Sequence, residues 1–322
     1  MAESRAETGQ RDDLFVDASR CLRMRFSQSS CRRCADVCPH TAVSLDAGLA
    51  IDQQRCRACL LCTAVCPTGA LEQHGDFAAC LAQLSKVPEA VLGCIRTKEC
   101  SNATVACLGG LSAEHLLALH QTLAGRLTLN LSVCSDCPNS PMTVQLRQRL
   151  DALSATGLSY GNCRIDLAES AQDLHYRAET VDRRGFFTAF RTSLFSSAAV
   201  ILSSNSEQDI RGSAYAAKRV PIRRELLNRV RSTLSPVLQA RLEQYFDWQV
   251  GCDLGCTRCQ GCVATCPTGA LQTRDNEEAP VFDHLLCTGC GLCQEFCLDK
   301  AVRISRGVCT ENARENIADI RK

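Results

Sequence analysis

Features that would announce an enzyme, a membrane protein or a nucleic-acid binder are missing from this chain. The six histidines form no pair at metal-binding spacing, and neither a phosphate-binding glycine loop nor a nucleophile elbow is present, so no site that transforms a substrate is expected. The longest charge-free stretch of the central region, 192–206, is short and serine-rich, which predicts no membrane span. Residues 1–20 carry Arg5, Arg11, Asp12 and Asp13 without an apolar core, so no secretory signal is expected. Asp182-Arg183-Arg184-Gly185-Phe186-Phe187 imitates a twin-arginine signal, but such signals are read at the N-terminus and this one is internal. Lysine is scarce too, at Lys86, Lys98, Lys218, Lys300 and Lys322 only. Genome base composition explains that bias more simply than a need for forked arginine donors beside anions. The arginines are not interleaved with aromatics, which make up 5% of the chain, so nucleic acid is not an expected partner.

Cysteine is abundant, with 25 among 322 residues. Three complete C-x2-C-x2-C-x3-C runs occur: Cys56-Cys59-Cys62-Cys66-Pro67, Cys256-Cys259-Cys262-Cys266-Pro267 and Cys287-Cys290-Cys293-Cys297. A fourth, Cys31-Cys34-Cys38-Pro39, has Gln28 where its first cysteine would fall, and Cys21 lies upstream to replace it. Such cysteine density in a small secreted chain would mean disulfides, but this spacing is that of metal-cluster ligands, which places the chain in a reducing compartment, the cytoplasm. A [4Fe–4S] cube needs one thiolate on each of four iron corners. A C-x2-C-x2-C loop wraps three, and the cysteine before proline points to a neighbouring cube. Zinc also uses paired C-x2-C units, but seldom three cysteines at x2 spacing followed by Cys-Pro.

In these runs the chain resembles the bacterial two-cluster ferredoxins, twice over. The resemblance covers about half the chain and implies α+β ferredoxin-like modules at both ends, residues 1–88 and 248–322, with four [4Fe–4S] clusters. It further implies that Cys56, Cys59 and Cys62 share a cube with Cys38, and Cys31 and Cys34 share one with Cys66. In the second module Cys256, Cys259 and Cys262 would pair with Cys297, and Cys287, Cys290 and Cys293 with Cys266. Two departures stand out. The last run ends Cys297-Leu298, a changed turn. The first depends on Cys21, nine residues before Cys31, so that cube takes Cys21, or has three irons, or uses another ligand. Residues 56–71, CRACLLCTAVCPTGAL, realign with 256–271, CTRCQGCVATCPTGAL, at a separation of 200. The formal charge of +1 becomes about −7 once four cubes and their thiolates are counted.

Between the modules, residues 89–170 have a different pattern. Apolar runs at Ala90–Ile95, Thr104–Cys107 and Leu127–Val133 predict buried strands; Ser112 and Ser140-Pro141 open helices. Alternating strands and helices predict a parallel α/β sheet, with Cys94, Cys107 and Cys134 at the carboxyl ends of three strands and Cys100 and Cys137 on the same rim. Those cysteines resemble the iron–sulfur delta subunit of methyl-viologen-reducing hydrogenases. That likeness covers about 75 residues and implies a fifth iron–sulfur cluster on a path between a hydrogenase and a disulfide reductase. The opening pair is spaced x5 where that family tends toward x2, which leaves the cluster type open. The C-x12-C spacing from Cys94 to Cys107 also invites comparison with thioredoxin-like ferredoxins, and a dithiol or zinc site is the plainer alternative.

Residues 171–247 read as a charged linker that turns helical around Leu226, Leu227, Val230 and Leu234, then again after Pro236. Eight basic residues lie from Arg211 to Arg241, a stripe for an acidic partner or for the chain's own anionic modules. Cys252-x3-Cys256-x2-Cys259 matches a radical-SAM triad, but Cys262 and Cys266 complete a ferredoxin run and too little chain follows for a barrel, so Cys252 is expected beside a cluster. Cys80, Cys163 and Cys309 are expected as small buried apolar residues. The expected function is electron transfer, as subunit or partner of a redox enzyme of hydrogenase, formate dehydrogenase or disulfide-reductase type. A redox or iron–sulfur sensor, or a cofactor-insertion accessory, is the alternative from another class.

Overall fold

The computed structural model describes residues 13–159, 161–176, 217–273 and 279–307. The internal arginine pair at 183–184, the 192–206 stretch, Arg211 and Cys309 lie outside them. The N-terminal module is built from short elements: β1 (Leu14–Val16), α1 (Leu22–Arg25), α2 (Arg33–Asp36), the hairpin β2 (Val43–Ser44) with β3 (Ala50–Ile51), α3 (Leu61–Val65) and β4 (Leu71–Gln73). Strands β1 and β4 pair antiparallel, Leu14 opposite Gln73 and Val16 opposite Leu71. Helix α3 is one turn long because a ligand loop precedes it and Cys66 ends it.

After α4 (Phe77–Leu84) the chain enters a four-stranded parallel sheet. Its strands are β5 (Glu89–Cys94), β6 (Ala103–Val105), β7 (Gly125–Asn130) and β8 (Cys163–Ala168), in the order β6-β5-β7-β8. Leu92, Leu127 and Leu129 are fully buried, as strands covered on both faces require. Helices α5 (Ala113–Thr122), capped by the Ser112 hydroxyl, and α6 (Met142–Ala155), opened by Pro141, supply the crossovers. The fourth strand was not expected from the sequence, because Arg164 and Asp166 break up its apolar pattern.

Helices α7 (Ile222–Arg231) and α8 (Pro236–Phe246) lie in the stretch expected to be a linker, yet they pack as core. Leu227, Val230 and Leu242 are fully buried in one apolar cluster with the N-terminal module and the central sheet, and α5 packs on α7. The C-terminal module follows: β9 (Trp248–Cys252), α9 (Gly261–Thr265), β10 (Leu271–Gln272), β11 (Val281–Phe282), α10 (Leu292–Phe296) and β12 (Val302–Arg306). Strands β9 and β12 pair antiparallel, as β1 and β4 do. This module has its own small core. No helix among the described residues is long and apolar enough to cross a membrane.

Candidate metal centres

The ligand loops owe their shape to left-handed residues at fixed places. Ala58 and Leu60 have φ of 54° and 56°, and their repeats Arg258 and Gln260 have 58° and 57°. Gly289 and Gly291 take the same places in the last run, at no steric cost. Alternating the handedness of successive residues curls the backbone so that its N–H groups face inward, a concavity suited to an anion. Among the described residues the Cys31–Cys34 run has no such residue; Arg32 sits at φ −130°. That run is therefore entered differently, from α1 and Cys21.

Four cavities result, each walled by four cysteines. Cys56, Cys59 and Cys62 line one with Cys38 of the other run. Cys31 and Cys34 line the next with Cys66 and Cys21, so the structure brings Cys21 to the place of the missing ligand. In the C-terminal module Cys287, Cys290 and Cys293 meet Cys266, and Cys256, Cys259 and Cys262 meet Cys297. Among the described residues no three acidic, histidine or cysteine side chains gather where a single metal ion would be held. The sulfurs stand around a space instead, the arrangement a cube of several atoms needs.

Burial opposes ionisation of several of these thiols. Burial pushes Cys34 up to about 12, with Cys66, Cys21 and Cys31 adding to the rise. Burial does the same to Cys293, also to about 12, and drives Cys62 and Cys290 upward as well. Bound iron would remove the protons, as metal does at any thiolate site. Further donors are aimed at the sulfurs. The Ala42 N–H donates to Cys38 Sγ at 3.3 Å, and the Thr68 and Thr268 hydroxyls each lie 3.8 Å from the sulfur of Cys66 or Cys266. Arg25 has a buried Nε with no hydrogen-bond partner, beside Cys266 and Cys290. A guanidinium left thus is costly unless an anion stands near, and a cluster with four thiolates is one. The donor set fits [4Fe–4S] cubes. Cys252 lies beside Cys256, Cys262 and Cys297; burial, with those thiols adding, pushes it up to about 12.

In the central sheet four of the five predicted cysteines come together. Cys134 has Cys94, Cys137 and Arg96 as near neighbours, and Cys107 has Cys59, Cys94 and Cys134. Burial lifts Cys107 to about 12 and Cys134 to about 11. The Thr97 hydroxyl donates to Cys94 Sγ at 3.9 Å. Arg96, fully exposed, hydrogen-bonds to the Cys137 thiol. Cys100 is exposed, its carbonyl accepting from Asn130 Nδ2 at 3.2 Å. Cys80 and Cys163 are buried in the apolar core.

These sites form a sequence in space. The Cys107-to-Gly110 turn packs on the Cys56–Cys59 loop, where Asn139 Nδ2 donates to the Arg57 carbonyl at 2.7 Å. Across the two modules, Arg33 Nη2 reaches the Gly289 carbonyl at 3.4 Å, joining the Cys31–Cys34 loop to the Cys287–Cys290 loop. Phe26 also meets Phe296, which lines the Cys297 cavity, edge to face at 5.3 Å. The cavities of Cys66 and Cys266 are thus inner, and those of Cys38 and Cys297 outer.

A family model described as a 4Fe-4S dicluster domain matches residues 29–70, and another of the same description matches residues 253–298. Residues 29–70 and 253–298 are therefore two 4Fe–4S dicluster domains, one near each end. The central sheet lies outside both matches. Among curated proteins, the chain is 36% identical over 58 residues to the B subunit of the ion-translocating oxidoreductase complex of Methanosarcina acetivorans, covering 18% of this chain and 21% of that protein. It is 37% identical over 51 residues to the PorD subunit of pyruvate synthase from Methanothermobacter marburgensis, covering 16% of this chain and 57% of that protein. The chain therefore spans about a fifth of the first relative and just over half of the second.

Sequence reasoning missed the residues that join the dicluster domains. Thr68 and Thr268 were visible as part of the repeat, but nothing local marks Arg25, Arg33 or Phe26 as junction residues.

Proposed function

We propose that the chain is a linear electron relay of four [4Fe–4S] clusters, ending in a further iron–sulfur centre in the central sheet. The observation that carries this reading is the composition of the four cavities: each takes three cysteines from its own run, or two plus Cys21, and the last from the other run. On this reading the sixteen ligands are Cys21, Cys31, Cys34, Cys38, Cys56, Cys59, Cys62, Cys66, Cys256, Cys259, Cys262, Cys266, Cys287, Cys290, Cys293 and Cys297. Cys94, Cys107, Cys134 and Cys137 hold the central cluster, and Cys100 stays outside it. When bound, each cube supplies one-electron steps; the chain sets potential through hydrogen bonds, burial and charge.

A relay needs a donor and an acceptor. Its similarity to components of an ion-translocating oxidoreductase complex and of pyruvate synthase supports a place as subunit or dedicated partner of a larger redox enzyme. Hydrogenase, formate dehydrogenase and disulfide-reductase types have the required one-electron chemistry. No disulfide joins the cysteines among the described residues, which suits a reducing compartment such as the cytoplasm.

Anaerobic purification with iron and sulfide analysis tests the reading. About sixteen irons are expected from four cubes, with about two to four more from the centre. Fewer than about twelve irons, or stoichiometric zinc, would overturn it.

A further inference from the structure

The segment entering α7 carries cations to both dicluster domains in matched fashion. Lys218 Nζ donates to the carbonyls of Val263 and Ala264, at 3.1 and 2.6 Å, at the end of the one-turn helix that leads to Cys266. Five residues on, Arg223 donates to the carbonyls of Ala64 and Cys66, at 3.0 and 2.7 Å, at the end of the equivalent helix in the other module. Ala64 and Ala264 are repeat-related, as are Cys66 and Cys266. One short piece of chain thus places a positive group at the same corner of both modules. That corner belongs to the Cys-Pro ligand of each inner cavity.

A third cation joins them. Arg25 comes from the N-terminal module, yet Cys266 is the foremost group opposing the burial that lowers its pKa, with Cys290 also near. It is held by the carbonyl of Ala217, 3.2 Å from its Nη2, next to Lys218. Among the arginines lining the outer cavities, Arg57 and Arg258 are exposed, so water and salt screen them. Arg223, by contrast, is 16% exposed, although it shares its charge with Glu114 at 3.3 Å. Reduction adds a negative charge to a cube, and a nearby desolvated cation stabilises that state.

We propose that Arg25, Lys218 and Arg223 make the junction between the two dicluster domains the most easily reduced part of the chain. Electrons entering from either end then rest on the two inner clusters, one on each, the outer neighbour being reoxidised as each passes its electron inward. The junction is a two-electron store inside a one-electron wire. This inference rests on the four-cluster reading.

Potentiometric titration of the full-length holoprotein, followed by electron paramagnetic resonance, tests it. Two clusters should reduce at higher potential than the other two. Arg25→Gln and Arg223→Gln should each lower one of those upper midpoints, by up to about tenfold in the reduction equilibrium, about 59 mV for one electron. The double variant should lower both, and Arg25→Lys and Arg223→Lys should keep them high. Unchanged midpoints in glutamine variants that retain their iron would overturn the proposal, as would lysine variants that shift as far as the glutamine ones. Should a buried substitution lose iron, Lys218→Gln gives the same reading, because two carbonyls hold its ammonium partly desolvated beside Cys266: a lowered upper midpoint supports the proposal and an unmoved one sinks it. Wild-type protein without four-iron signals would be a separate failure, that of the cluster assignment itself.

Discussion

Gly109 lies so close to the carbonyl oxygen of Cys59 that a β-carbon built on it would stand 2.3 Å from that oxygen. Only glycine lets the central domain approach the ligand loop so closely, and the approach puts Cys107 within electrostatic range of Cys59. Gly109→Ala must push the turn away from backbone that cannot yield. The expected cost is about 1–3 kcal/mol in stability. Iron content should be retained, while electron exchange between the central centre and the outer N-terminal cluster slows. Stopped-flow reduction monitored by visible absorption would check it, and unchanged kinetics would count against the contact as an electron path.

Cys21 reaches the cavity of Cys31, Cys34 and Cys66 from α1 rather than from a ligand loop. Replacing Cys21 with alanine should therefore convert that cluster to a three-iron form and leave the other three intact. The three-iron signal should appear in the oxidised variant; an unchanged oxidised spectrum would show that Cys21 is no ligand.

On the proposed reading the central cysteines divide four to one. In the full-length protein, Cys134→Ala should remove about two to four irons, the content of one cluster, whereas Cys100→Ala should remove none. The full chain is needed because the central sheet shares its apolar core with the N-terminal module and α7. Equal iron loss in both variants would mean that Cys100 ligates.

Asp247 is fully buried between Arg224, at 2.8 Å, and Arg231, at 2.6 Å. Arg224 also donates to the carbonyls of His284 and Leu285, just before Cys287. Removing the carboxylate by Asp247→Ala leaves the buried Arg224 guanidinium uncompensated and Arg231 with only Glu243, 3.9 Å away; breaking such a buried pair costs about 3–5 kcal/mol. Chemical denaturation should show this loss, with the C-terminal module released first.

His115 is buried against Phe77, hydrogen-bonded through Nδ1 to Ser112 and through Nε2 to Gln73. Burial lowers its pKa from 6.5 to about 4, Glu114 opposing and Arg223 and Arg149 assisting. The unfolded chain then binds a proton that the folded chain refuses between those values. Stability is full above about pH 6.5 and falls as the pH drops toward 4, by about 3 kcal/mol in all. His115→Gln should flatten that slope in melts compared at pH 7 and pH 5. A slope as steep in the variant would assign the acid sensitivity elsewhere.

The dicluster domains were legible because their ligands are local: three cysteines in one loop declare themselves by spacing, and Pro67 and Pro267 mark the outward turn. The central strands β5, β6 and β7 were legible from apolar runs that parallel sheets require. Strand β8 was not, since an edge strand carrying Arg164 and Asp166 has no such run. Helices α7 and α8 showed their periodicity but not their burial. Arg223, Arg224 and Arg231 made the stretch look like a solvated linker, and only tertiary partners such as Glu114 and Asp247 reveal that these charges face inward. Contacts such as Arg33 with Gly289 join residues 256 apart and leave no local pattern at all.

The two ends of the chain differ in what holds them before iron arrives. The N-terminal module leans on a broad leucine-rich interior shared with the sheet and helices, whereas four of the seven buried residues in the C-terminal core are cysteines, Cys262, Cys266, Cys287 and Cys293. With so few fully buried apolar residues, that end would draw part of its folding energy from cluster insertion. If cubes bind there, the first module and the sheet should form a scaffold before they arrive and the second module should close on loading, so that limited proteolysis of partly loaded protein is expected to cut the C-terminal end first.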